Sequence, residues 1–141
     1  MDIRTITPAY AVTPQIEPED LPAIKAAGYA TVICNRPDAE VPVELRADVI
    51  RAAVEAAGLT FVDNPLVHTE LSTEHVSAQG AAQADAAGPV LAYCASGTRS
   101  SILWSLSKAG VMSTDDILAA TAQAGYDLAH IAPQIEALAR R

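Results

Sequence analysis

The chain has 141 residues, half of them apolar, with 17 acidic against 9 basic side chains and a formal charge of -8. That is enough apolar material for one core, and a single domain over residues 1–141 is expected. The acidic balance disfavours nucleic acid and anionic membrane surfaces as partners.

The opening MDIRTITPAY lacks both the apolar run of a secretory signal and the Arg-rich character of a transit peptide, so a cytoplasmic location is expected. No stretch approaches the roughly 20 apolar residues of a membrane span. Two cysteines, Cys34 and Cys94, are too few for a disulfide scaffold and lack zinc-site spacing, and no metal or cofactor is expected.

Taken in chain order, Tyr10 to Thr13 reads as a short edge strand between prolines 8 and 14. The phrase Ala-Ala-Gly then occurs at 26–28, 56–58 and 86–88, each time followed by an apolar run: Ala30 to Cys34, Thr60 to Val62 with Asp63 at its end, and Pro89 to Cys94. Each glycine suits a helix C-cap, and the residues before each show helical spacing, as in Leu21, Ile24 and Ala27, or Leu45, Val49, Ala52 and Ala56. Helix, glycine, strand is therefore read three times. The fold class that follows is α/β, a mostly parallel central sheet with helices on both faces.

After Cys94 the chain turns through Ser96 and Gly97 into a helix from Arg99 to Ala109 with Ile102, Leu103 and Leu106 inward and Gly110 as its stop. Ser113 caps a further helix from Thr114 to about Ala124, with Asp115 and Asp116 in its first turn, and Pro133 opens a last short helix. Trp104 and Tyr93 read as core, His75 and His130 as helix surface.

Ligands of open parallel sheets bind beyond the carboxyl ends of the strands. Three segments should share that face: Asn35 to Asp38, Asn64 to Glu70, and Cys94 to Arg99. In the last, Cys94, Ala95, Ser96, Gly97, Thr98 and Arg99 form a loop leading into a helix, a nest of backbone N–H groups that favours an anion and favours thiolate over thiol. Gly97 supplies a backbone conformation closed to most residues, and the Ser100 hydroxyl is placed to donate to the sulfur. Arg36 and Asp38 either line the anion pocket or pair with each other across Pro37. Cys34 is either a resolving thiol for Cys94 or a small buried strand residue.

The loop YCASGTRSS, the segment ICNRPD at 33–38 and the opening DIRTITPAYAVTPQIEPEDL resemble the bacterial beta-lactamase hydrolase-like, phosphatase-like family, also described as sulfur transferase/phosphatase proteins. The resemblance covers about Met1 to Gly110. It implies a dual-specificity phosphatase-like fold of the cysteine-phosphatase kind, with rhodanese-like activity in some members. It maps the nucleophile onto Cys94, the anion-binding arginine onto Arg99 and the family's NRPD loop onto Asn35 to Asp38. Cys34 stands where that family usually carries asparagine, which raises a second redox-active thiol as a possibility.

Cysteine phosphatases have five residues between the cysteine and the arginine, whereas this loop has four, like rhodanese-type sulfurtransferases. A tighter ring suits one sulfane sulfur better than a tetrahedral phosphoryl group, and persulfide exchange needs no general acid. The first reading is therefore a sulfurtransferase carrying a persulfide on Cys94, with thiosulfate or a glutathione persulfide as donor and a persulfide-processing dioxygenase or reductase as partner enzyme. The alternative is a cysteine-dependent phosphatase acting on a phosphate ester through a Cys94 phospho-intermediate, with Asp38, Asp63, His68 and Glu70 as candidate acids. A third reading, from a different class, is an anion-binding module without turnover.

Overall fold

In the computed structural model, which describes residues 1–141, five strands form one sheet in the order β1-β2-β5-β3-β4. These are β1 (Arg4–Thr7), β2 (Tyr10–Thr13), β3 (Thr31–Cys34), β4 (Thr60–Asp63) and β5 (Val90–Tyr93). Six α-helices accompany them: α1 (Leu21–Ala26), α2 (Ala47–Ala56), α3 (Thr73–Asp85), α4 (Thr98–Ser107), α5 (Thr114–Gln123) and α6 (Ala132–Ala139). β2, β5, β3 and β4 run parallel, and β1 pairs antiparallel with β2.

Side chains alternate across the sheet, as the pleat requires. Tyr10, Val12, Ile33, Val90 and Ala92 pack on one face with Trp104, Ile117 and Ile135 from α4, α5 and α6. Ala11, Val32, Cys34, Leu91 and Tyr93 pack on the other with Leu21 and Ile24 of α1 and Ile50 and Val54 of α2. Helices thus cover both faces of a mainly parallel sheet, as the cadence of the sequence implies.

Several details differ from the sequence expectation. Tyr10 to Thr13 is an interior strand, because Arg4 to Thr7, which carries no apolar run, takes the edge beside it. In α2 the buried positions are Ala47, Ile50 and Val54, one face round from the Leu45, Val49, Ala52 and Ala56 stripe, and in α1 Ala27 is exposed. In so alanine-rich a stretch Ile50 and Val54, one turn apart, select the buried face.

Gly28 (φ 97°) and Gly58 (φ 82°) do take the left-handed conformation that closes a helix, but Gly88 does not, since α3 stops at Asp85 and Ala86 is already extended. Helix α4 is buried nearly all round, so no apolar stripe marks it; its serines are satisfied within the helix, Ser101 Oγ donating to Gly97 O and Ser105 Oγ to Ser101 O, each at 2.8 Å. The Ser113 cap is present, its Oγ accepting from Asp116 N at 3.1 Å, and Pro133 lies in the first turn of α6. No helix is long and apolar enough to cross a membrane.

Candidate active site

β5 delivers Cys94 to the carboxyl end of the sheet, and four residues later α4 has begun. The reversal is made at Gly97, whose φ of 92° is in the left-handed region. There the Gly97 N–H points back at the Cys94 sulfur at 3.1 Å. Ser96 Oγ and Thr98 Oγ1 lie 3.0 Å apart on the exposed rim of the same loop. Cys94 itself is 1% exposed, so the sulfur lies at the floor of the loop rather than on the surface.

Arg99, in the first turn of α4, is likewise buried. Its Nη1 donates to Glu40 Oε2 and to the carbonyl of Leu66, and its Nη2 to Glu40 Oε1, all at 2.8 Å. Glu40 is the first cause holding the Arg99 guanidinium above its ordinary value, and the Cys94 sulfur adds to it. Reciprocally, Arg99 first and Arg36 second hold the Glu40 carboxyl below the usual carboxylate range. Glu40 is therefore ionised, and the charge pair spans two of the three loops.

A buried polar network joins all three. Ser100 Oγ donates to Asn35 Oδ1 at 2.9 Å, and Asn35 Nδ2 donates to Asn64 O and to Gln79 Oε1, each at 2.9 Å. Gln79 Nε2 returns to Asn35 Oδ1 and to Tyr10 Oη, each at 3.0 Å, while Tyr10 Oη donates to Ser100 O at 2.8 Å. Asn64 Nδ2 also reaches Gln79 Oε1, at 2.8 Å. Every member has a partner, which is the condition under which such a network rigidifies its surroundings.

The structure accordingly reassigns several residues. The Ser100 hydroxyl is spent on Asn35, not on the sulfur. Asp38 does not face the anion ring: its Oδ1 accepts from Ala47 N at 2.8 Å and starts α2, a use that the exposed helix N-terminus favours. Arg36 and Asp38 are not paired with each other; Arg36 donates from Nε to Glu40 Oε1 and from Nη1 to Gln15 Oε1, both at 3.3 Å.

Cys34 pairs in register with Tyr93, packs with the α1 and α2 side, and gives its Sγ hydrogen to Arg36 O at 3.3 Å. Burial pushes its thiol up to about 11. Asp63, level with Cys34 on β4, has its carboxyl pushed up by partial burial and by Asp38, and no hydrogen bond links it to the Cys94 loop. His68 and Glu70 are exposed on the loop that Arg99 holds through Leu66. His75 is more than surface: Nε2 meets Pro65 O at 3.1 Å and Nδ1 meets Ser72 Oγ at 2.8 Å, tying that loop to α3. His130 is exposed.

Glu40, Gln79, Tyr10 and Tyr126 were not legible as site residues. Tyr126 donates to Ser96 O at 2.9 Å from the segment after α5. Only Glu40 carried a usable signal, as a carboxylate four residues from Arg36 in a loop on the active face.

The family described as beta-lactamase hydrolase-like protein, phosphatase-like domain, matches residues 2–111. The chain belongs to this family. A beta-lactamase hydrolase-like protein of Xylella fastidiosa (strain Temecula1) is 32% identical over 130 residues, covering 91% of this chain but 30% of that protein. The chain thus spans under a third of that relative's length. The crystal structure of a candidate phosphatase from Neisseria meningitidis is 31% identical, with a TM-score of 0.84 over 98% of this chain and 99% of that one. Pseudomonas aeruginosa TpbA, in complex with pTyr, shares the fold at 15% identity, with a TM-score of 0.61 over 99% of this chain and 88% of that one. The fold of this family member is that of the cysteine phosphatases. The phosphatase-like family and the Neisseria structure at 31% identity favour the phosphatase alternative over sulfur transfer.

Proposed function

We propose that the chain is a hydrolase that cleaves phosphate monoesters through a covalent phosphocysteine at Cys94. The observation carrying this reading is the turn in which Gly97 N–H reaches the Cys94 sulfur at 3.1 Å, with Arg99 buried in the first turn of the helix that follows. The Cys94 thiolate attacks phosphorus, the ester P–O bond breaks, and the leaving oxygen departs with the bonding pair. Water then attacks the phosphocysteine, expelling the thiolate and releasing inorganic phosphate. Arg99 and the loop amides hold the phosphoryl oxygens through both steps.

Glu40 is unsuited to protonate the leaving group because Arg99 holds it ionised. His68 and Glu70, exposed on the loop whose Leu66 carbonyl Arg99 holds, are the candidates for that role. An aryl phosphate with a good leaving group needs no such acid, so p-nitrophenyl phosphate is the substrate for the test. Wild-type turnover that Cys94→Ser abolishes supports the reading; turnover that survives the substitution sinks it.

One observation favours a second reading, sulfur transfer. Four residues, not five, separate Cys94 from Arg99. In that chemistry the thiolate attacks the sulfane sulfur of thiosulfate, the S–S bond breaks, and sulfite leaves Cys94 as a persulfide for an acceptor thiolate to take up. Intact-mass measurement after thiosulfate treatment separates the two: one added sulfur on Cys94, without phosphatase turnover, selects this reading.

A further inference from the structure

Arginine presents five N–H donors in a rigid planar fork. In Arg99 three of them are already committed. Both Nη1 hydrogens are used, one on Glu40 Oε2 and one on Leu66 O, and the Nη2 hydrogen facing Nη1 is used on Glu40 Oε1. What remains is the Nε hydrogen and the outer Nη2 hydrogen. These two lie side by side on one edge, the spacing that matches two oxygens of a tetrahedral anion. The Cys94 sulfur, at the start of the same loop, is the other group whose charge helps hold the guanidinium protonated.

We infer that Glu40 is a positioning residue that selects the edge of Arg99 presented to the bound anion. Its carboxylate takes the end of the fork, so the guanidinium cannot rotate that end towards the nucleophile without breaking two charge-assisted bonds. Glu40 is itself held in place. Arg36 donates to its Oε1 from Nε and to its backbone carbonyl from Nη2, each at 3.3 Å, and Gln15 steadies Arg36. The loop Asn35 to Glu40 therefore acts on the chemistry through Arg99, and Glu40 need not touch the reacting atoms. This role goes beyond the phosphatase reading and holds for any tetrahedral anion in the ring.

The test measures inorganic phosphate and thiosulfate affinity by titration calorimetry, and kcat and KM on p-nitrophenyl phosphate separately. The proteins are wild type, Glu40→Ala, Glu40→Gln, Arg99→Lys and the double variant Glu40→Ala/Arg99→Lys. Glu40→Ala should weaken anion affinity about 10-fold or more, the scale of one charge-assisted hydrogen bond. It should lower kcat more than it raises KM. The same change should cost only a small part of that in the Arg99→Lys background, because lysine has no fork edge to select. Anion affinity equal to wild type, a loss that adds in full to that of Arg99→Lys, or a wild type that binds neither anion overturns the inference. Should Glu40→Ala not fold, Glu40→Gln, of the same size and without the charge, decides it by the same affinity comparison. Glu40-dependent anion binding without turnover would sink the phosphatase reading and leave this one standing.

Discussion

The Tyr126 hydroxyl donates to the Ser96 carbonyl at 2.9 Å, and a Cβ placed on Gly97 would run into that same hydroxyl. Arg4 lies over the Tyr126 ring, 5.7 Å from its centroid, and donates from Nη1 to Ala124 O at 3.0 Å. The edge strand, the segment after α5 and the nucleophile loop are thus one mechanical unit. Tyr126 lies beyond residues 2–111, so part of what holds the loop is supplied from outside the family match.

This unit makes Gly97→Ala severe. The substitution meets two obstacles at once: a φ of 92°, which costs a side-chain-bearing residue about 1–2 kcal/mol, and the Tyr126 hydroxyl. The loop should turn its Gly97 amide away from the sulfur and kcat/KM should fall at least about 10-fold. Tyr126→Phe loses one hydrogen bond worth about 1 kcal/mol and should cost less. Steady-state kinetics on p-nitrophenyl phosphate checks both, and a Gly97→Ala variant with wild-type kcat/KM would show that the amide direction is immaterial.

The two cysteines should separate cleanly. Cys34 is 2% exposed, and with its thiol pushed up to about 11 only about one molecule in a thousand carries the thiolate at pH 8. Cys34→Ser should therefore keep kcat within about threefold of wild type, whereas Cys94→Ser should leave no turnover. Peptide mapping after thiosulfate treatment should find any added sulfur on Cys94 alone. Equal loss of activity in both variants would give Cys34 a part in the chemistry that its burial argues against.

β3, β4 and β5 were legible because each is a short apolar run after an Ala-Ala-Gly phrase, and the nucleophile loop because cysteine, glycine and arginine fall in the order that a strand, a turn and a helix need. The edge strand β1 was not, since Arg4 to Thr7 alternates too weakly to be told from coil. Glu40, Gln79 and Tyr126 were hidden for a common reason. Glu40 and Tyr126 reach the loop from distant parts of the chain, 59 and 30 residues away, and Gln79 is joined to it only through Asn35 and Tyr10, meetings that the sequence around each residue does not encode. Asp38 and Ser100 were misread because their hydrogen bonds go to a helix start and to a buried asparagine, partners that proximity to the motif does not reveal.

The buried network predicts a large stability cost. Asn35→Ala removes the acceptor of Ser100 Oγ, a donor to the Asn64 carbonyl and one of the two partners at each end of the Gln79 amide, which keeps Asn64 Nδ2 and Tyr10 Oη. Stranding buried polar groups costs about 1–3 kcal/mol each when water cannot reach them. A total on the order of 3 kcal/mol, or a melting temperature lower by about 10 °C, is expected. Gln79→Leu should cost less, because Asn35 keeps Ser100 Oγ and the Asn64 carbonyl and Asn64 Nδ2 keeps the His75 carbonyl. Thermal unfolding followed by circular dichroism checks both, and a shift under about 2 °C would mean that the network contributes little to stability.

The same burial of Cys34 gives stability a signed dependence on alkaline pH. Its folded value, about 11, lies above the 9.0 of an unburied thiol, so between the two the unfolded chain releases a proton that the folded protein keeps. The contribution is complete below about pH 9 and is lost as pH rises towards 11. Two units correspond to on the order of 2–3 kcal/mol as an upper figure. Burial pushes Tyr10 and Tyr93 up as well, which adds loss in the same direction once an unfolded tyrosine ionises near pH 10. The Cys34 share is isolated by comparing wild type with Cys34→Ala by urea unfolding at pH 8 and pH 10.5. Wild type should lose more stability over that interval than the variant. Identical losses would mean that the Cys34 thiol ionises as easily in the folded protein as in the unfolded chain.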